Sequence, residues 1–135
     1  RKIHDFLTVG APTPFQHAAV KALSLPQEYY NNLQNRYTQA RDFLLKVLKK
    51  AGFKVYKPRG SYYIITDISD LMEKMGVKDD FAFAYKLIEK TGVAVVPGSS
   101  FYADEKEGRN QVRFAFCKKN ETLNSVRDNL KKLKS

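Results

Sequence analysis

With a single cysteine, Cys117, the chain cannot close a disulfide within itself, and it carries no tryptophan. Its two histidines, His4 and His17, stand without the spaced cysteines or acids that a zinc centre needs, so no metal is expected. No apolar run approaches the roughly 20 residues that cross a bilayer. The opening "RKIHDFLTVG" also lacks the apolar stretch of a signal peptide, which makes the cytoplasm the expected compartment and a membrane partner unexpected. Missing as well are a catalytic set of serine, cysteine or paired carboxylates and a glycine-rich phosphate loop. Acid is scarce: 14 Asp and Glu face 24 Lys and Arg, a net charge of +10.

Such an excess raises the question of nucleic acid, because phosphate neutralisation is its usual use. The basic residues are dispersed, however, in "KVLKK", "YKPR", "CKK" and "KKLKS", mostly at helix C-termini where cations suit the macrodipole. They read as solvated helix ends. What is present is ample core material, 43% hydrophobic and 13% aromatic residues in 135 positions, enough for one globular body. A first residue of Arg rather than Met leads us to expect a piece of a longer protein.

Along the chain, "RKIHDFLTVGAPTP" ends in glycine and prolines that break helices, and "FQHAAVKAL" is predicted helical with Phe15, Ala18, Ala19, Ala22 and Leu23 on one side. Ser24 and Gln27 match a capping box, with Pro26 suited to a first turn. A long helix follows, its apolar positions Leu33, Tyr37, Ala40, Leu44, Val47 or Leu48 and Ala51 spaced by three and four, with Gly52 as its C-terminal cap. It would extend about 37 Å, a length that usually links two bodies. The period then changes to strands in "FKVY" and "SYYIITDI". Asp79 and Asp80 open a helix with Phe81, Ala84, Tyr85 and Ile88 inward and Gly92 past its end; "VAVV" is a short buried strand, "QVRFAF" another, and Asn120 caps a last helix carrying Leu123, Val126, Leu130 and Leu133. The predicted order is ααββαββα, an α+β fold in which a small mixed sheet packs with helices.

Alternation in "QVRFAF" puts Val112, Phe114 and Phe116 on one face and Gln111, Arg113 and Ala115 on the other. Arginine is almost never buried unpaired, and its planar fork matches a carboxylate or phosphate in bidentate fashion. The loop before it, Pro97-Gly98-Ser99-Ser100, ends a strand where sites are commonly built, and Gly98 is expected to adopt a backbone conformation closed to other residues. In "PRGSYY" the Gly60 turn is expected to deliver Tyr62 and Tyr63 to opposite faces, one to core and one to a cleft, and Cys117 is expected to be buried as a small apolar group. A wet second sheet face is the plainer alternative for Arg113.

Taken in order, these pieces resemble the C-terminal part of class I/II, fold type I aminotransferases that use pyridoxal 5'-phosphate, over essentially the whole chain. "RKIHDFLTVGAPTPFQHAAVKAL" is similar to the segment following the family's cofactor lysine, "GFKVYKPRGSYYIITDI" to its "G-F…P-x-G-x-F/Y" strand, and "GVAVVPGSSFY…G…VRFAF" to its closing "G-V…V-P-G-x-x-F…G…R" motif. The resemblance implies a connector over 1–26 from a large cofactor-binding domain and a small domain over 27–135 that includes the long helix. It implies that Arg113 pairs with the substrate α-carboxylate, that Tyr62 stands at the cleft, and that Gly60, Pro97 and Gly98 shape its wall. Thr8, Val9, Gly10, Ala11 and Pro12 match a segment that approaches the neighbouring subunit of a homodimer. Amino-acid and 2-oxo-acid substrates are implied for the parent. The Schiff-base lysine and the aspartate at the pyridine nitrogen would lie upstream, so no catalytic or cofactor-binding residue is expected here, nor cofactor bound to this chain, nor activity from it alone. The rivals are a basic α+β module for nucleic acid and an amino-acid-sensing regulatory domain. "SYYIITDI" interleaves no basic residue with its aromatics, which argues against the former, and no nucleic acid is expected.

Overall fold

The structure, a computed structural model, describes residue 3 and residues 10–133. His4, Thr8 and Val9 lie outside the described residues. Two compact units are distinguished, Arg1–Gln34 and Asn35–Ser135. In the first, helix α1 (Thr13–Leu23) starts beside Pro14, and the Pro12 carbonyl accepts from the Phe15 N–H at 2.9 Å. It buries none of its residues, and Phe15 and Leu23 are open to solvent. The predicted capping box does not form. The Ser24 hydroxyl donates back to the Lys21 carbonyl at 3.0 Å, one of the orphan acceptors at the end of α1, and Gln27 donates to Asn31 instead. Helix α2 (Gln27–Ala51) opens one residue after Pro26.

In the second unit α2 buries Ala40, Leu44, Leu45, Val47 and Leu48. Gly52, at φ +97°, ends it in a Schellman motif: its N–H donates to the Lys49 carbonyl and that of Phe53 to the Leu48 carbonyl, both at 3.1 Å. Strands β1 (Lys54–Val55), β2 (Tyr63–Asp67), β3 (Val96–Pro97) and β4 (Gln111–Ala115) form one sheet in the order β1-β2-β4-β3. Every pairing is antiparallel, which corrects the expected mixed sheet. The reason is the β3–β4 connection. It consists of two 3₁₀ turns, Gly98–Phe101 and Glu105–Gly108, rather than the helical crossover a parallel pair needs.

A helix absent from the predicted order, α3 (Ser69–Met75), follows β2, making it ααββααββα. Asp67 accepts from the Ser69 N–H at its start, and Gly76, at φ +61°, ends it. Helix α4 (Asp80–Thr91) is capped as expected: Asp79 accepts from the Ala82 N–H at 2.8 Å, and Gly92 follows at φ +72°. Its inner face is Phe83, Ala84, Leu87 and Thr91, whereas Phe81, Tyr85 and Ile88 are exposed. The helix carries two apolar stripes, and packing selects the one whose ring meets Phe53 edge-on. "VAVV" is a strand only at its last residue, and Val96 is exposed while Val93 is buried. Helix α5 (Asn120–Leu130) begins at Asn120 without a side-chain cap; it buries Leu123 and Leu130, and Leu133 falls in a 3₁₀ turn, Lys131–Leu133.

The core forms against one face of the sheet. Ile64, Thr66, Val112 and Phe114 point into it with Leu44, Leu48, Phe83 and Leu87, and Phe53 packs edge-on to Phe114 at 5.2 Å. The opposite face carries Tyr63, Ile65, Arg113 and Ala115, all half-buried.

Candidate functional site

Register places Arg113 in the middle of that second face, opposite Ile65 of β2 on one side and Val96 of β3 on the other. Alternation within β4 holds as expected, with Val112 and Phe114 buried behind it. The guanidinium lies between two rings: its carbon is 3.9 Å from the centre of Tyr63 and 4.1 Å from that of Phe101. Its Nε is buried and has no hydrogen-bond partner. Two aromatic quadrupoles therefore lie against the cation, worth about 0.5–2 kcal/mol each, and its buried Nε donor is left without an acceptor. A carboxylate or phosphate reaching it would satisfy the orphan donor, whose exposure of a bare N–H to protein interior otherwise costs free energy.

Phe101 reaches this position because its 3₁₀ turn is fastened at three points. The Ser99 N–H donates to Oδ2 of Asp80 at 2.8 Å, and Asp80 is only 1% exposed. The Tyr102 hydroxyl donates to Gln111 at 3.0 Å. Gly98 lies with its backbone directly on that of Gly108, so that a Cβ on Gly98 would fall 2.6 Å from the Gly108 carbonyl oxygen. This corrects the reason expected for Gly98. Its φ is not in the left-handed region; what it needs is space.

Pro97 pairs with Val112 in β3 and delivers the chain into this turn. Gly60 is exposed and no neighbour lies within 4 Å of where its Cβ would be; the left-handed residue of its turn is Ser61, at φ +64°. Tyr62 and Tyr63 do not go to opposite faces. Tyr62 stands outside β2, so strand alternation does not govern it, and its ring rests on Tyr63 at 4.3 Å. Hydrogen bonding to Tyr63 raises the Tyr62 phenol above its usual pKa. Tyr63 is the tyrosine that touches Arg113. Gly10, Ala11 and Pro12 are exposed, as is His17.

Phe101, Asp80 and Gly108 are thus the residues that sequence reasoning missed, and of the two tyrosines it offered for a cleft it settled on Tyr62, whereas Tyr63 is the one against Arg113. Alternation from Ile65 would have found Tyr63, and the second acid of "DD", superfluous as a cap, was a signal for Asp80. The contacts of Phe101 and Gly108 depend on loop geometry and left no local trace.

A cavity of about 340 Å³ opens beside Arg113, with Tyr63, Val96, Ala115 and Lys118 in its wall. A larger one, about 730 Å³, lies away from Arg113 between Arg36–Phe43 and Cys117–Asn124; Cys117 lines it and is half-buried, not the enclosed apolar group expected. No cluster of metal-ligating side chains occurs among the described residues, and none of their helices is long and apolar enough to cross a membrane.

The sequence pattern of the family "Aminotransferase class I and II" matches residues 1–130. The chain belongs to that family. Among curated relatives it is 36% identical to a kynurenine–oxoglutarate transaminase of Dictyostelium discoideum, over 97% of this chain and 34% of that protein. It is 32% identical to the methionine aminotransferase of Escherichia coli, over 98% of this chain and 33% of the relative. Among solved structures, the N-succinyldiaminopimelate aminotransferase of Mycobacterium tuberculosis superposes with a TM-score of 0.78 at 33% identity, covering 96% of this chain and 33% of that one. The chain therefore spans about a third of the length of the aminotransferases it matches. Its α+β architecture is that of fold type I aminotransferases.

Aminotransferases of this family generally use pyridoxal phosphate, which requires an amine to condense with, a carboxylate at the ring nitrogen and an anion cradle. The described residues do not assemble that set. Every described lysine is exposed, and the buried carboxylate, Asp80, is occupied by the Ser99 amide. Among the described residues, what the chain does assemble is a half-buried guanidinium, Arg113, with a donor that no acid or other acceptor occupies.

Proposed function

We propose that the chain is the C-terminal part of an aminotransferase that moves an amino group between an amino acid and a 2-oxo acid, and that Arg113 holds the α-carboxylate common to both. The observation that carries this reading is the buried, unpartnered Nε of Arg113 between Tyr63 and Phe101. Among the described residues no acid pairs with it, so its donors stay available. Tyr63 and Phe101 prevent the fork from turning, which fixes the plane in which the carboxylate is received. Tyr62 extends the aromatic wall, and Pro97 and Gly98 set the position of Phe101.

In this reading residues 1–26 connect to a large cofactor-binding domain of the same chain, residues 27–135 form the small domain, and the parent is a homodimer. Support for the contact over 8–12 comes from the exposure of Gly10, Ala11 and Pro12 and of the apolar α1 residues that follow. The amine and ring carboxylate come from that other domain, so the chain alone does not transaminate. The test is Arg113→Lys in the longer protein. Loss of the bidentate fork is expected to lower kcat/KM for amino acid and oxo acid alike by about 100-fold or more while the cofactor's absorbance band is unchanged. Activity equal to that of the unaltered enzyme would refute the role of Arg113, and transamination by the 135-residue chain alone would refute the division of labour.

A further inference from the structure

Two basic segments that are far apart in sequence converge on one groove of the second unit. Phe43, Val47 and Ala51 of α2 and Leu130 of α5 form its floor, and Lys46, Lys50, Arg127 and Lys131 stand around it, enclosing about 360 Å³. Val47 and Leu130 are buried, so the floor is continuous with the core. No acidic residue lines the groove; Asp128, which bonds Arg127 and Lys131, holds those two side chains from outside the lining. Lys46 and Lys50 are exposed and make no ion pair among those described.

We infer that this groove docks an acidic amphipathic helix from a partner protein. Phe43, Val47 and Ala51 repeat every four residues, an apolar stripe about 12 Å long on one face of α2. Its complement is a helix of two to three turns with apolar anchors at i, i+4 and i+7, the usual helix-in-groove pattern. Carboxylates flanking those anchors would meet the four cations at the rim. A phosphate polymer is a poorer match: the rim cations could receive its oxygens, but it brings no apolar side chains to cover the floor of Phe43, Val47, Ala51 and Leu130. Charge of a single sign around a dry floor also sets orientation and speeds encounter, so part of the +10 excess acquires a use.

The test uses the longer protein and a fluorescent peptide of about 14 residues, with leucines at helical spacing and glutamates beside them, titrated by anisotropy, so that a groove already covered by the rest of the polypeptide binds nothing. Saturable binding is expected, weakening as salt rises from about 50 to about 300 mM. A peptide of the same composition in scrambled order should bind at least about 10-fold more weakly, because charge remains but the stripe is lost. Lys46→Glu combined with Lys50→Glu should cost about 10-fold or more, and a peptide with lysines in place of its glutamates should recover affinity for that variant. Both positions are exposed, and circular dichroism checks that the variant is folded. Absence of saturation, equal binding of the scrambled peptide, failure of the charge swap, or displacement of the peptide by single-stranded oligonucleotide or by phosphatidylserine vesicles would each overturn the inference.

Discussion

Replacing Gly98 by alanine isolates the contact that sets the Phe101 turn. The new Cβ would lie 2.6 Å from the Gly108 carbonyl oxygen and 2.7 Å from both Cβ and the carbonyl oxygen of Gln111. Two of these three atoms are backbone, so no rotamer change relieves them, and the two segments must part by roughly 0.8 Å to reach ordinary contact. Forced overpacking of this kind costs about 1–3 kcal/mol. With an unfolding entropy of about 2.1 cal/mol/K per residue, a chain of 135 residues should lose about 4–11 °C in Tm. Differential scanning calorimetry measures this, with Gly60→Ala as control. Gly60 has no neighbour within 4 Å of its Cβ position and no left-handed φ, so alanine there should leave Tm unchanged or raise it through about 0.4–1 kcal/mol of lost unfolded-state freedom. Gly92→Ala is the second control: at φ +72° with empty space around it, it should lose about 1–2 kcal/mol from conformation alone and leave the Arg113 site undisturbed. A Gly98→Ala protein that melts with the unaltered chain would refute the argument.

Removing the Asp80 carboxylate by Asp80→Ala strands the buried Ser99 N–H and should lower stability by about 1–3 kcal/mol in urea denaturation, with Asp80→Asn, which keeps an acceptor, recovering most of it. Phe101→Ala removes one of the two ring contacts of Arg113 and should lower stability by about 0.5–2 kcal/mol, whereas Tyr63→Phe, which keeps its ring, should unfold with the unaltered chain; urea denaturation decides. At the surface, hydrogen bonds from Arg127 and Lys131 hold the Asp128 carboxyl at about 2, below its unfolded value near 3.9. Its folded pKa is the lower one, so the stabilisation is present above about pH 4 and is lost as pH falls through about 2; Asp128→Asn should therefore melt earlier than the unaltered chain at pH 7, with the gap narrowing as pH approaches 2. The difference at pH 7 should shrink in high salt, because the three side chains are exposed.

Elements governed by their own residues were legible. The stripe of α2, its stop at Gly52, the Asp79 cap and the alternation of β4 each follow from chemistry within one turn or one strand, and the structure reproduces them. Where two local options compete, the sequence could not choose. Ser24 had carbonyls behind it and amides ahead of it and went back to Lys21; α4 had two apolar stripes, and the ring of Phe53 selected one. Helix α3 is short enough that its seven residues present no periodicity, although Gly76 marked its end. The candidate site was legible only as Arg113. Its two rings come from β2 and from a loop held by Asp80, and pairings of that kind between distant segments leave no spacing to read.

Both edges of the sheet are strands of two residues, β1 and β3, and β3 ends in Pro97, which has no N–H to offer. A sheet whose interior strands are apolar on one face would template strand addition if a long edge were open, the route by which chains associate into fibrils. Here the five-residue strands are enclosed, and an incoming chain finds no run of paired donors and acceptors to continue. The same residue that turns the chain toward Phe101 therefore also limits edge-to-edge aggregation.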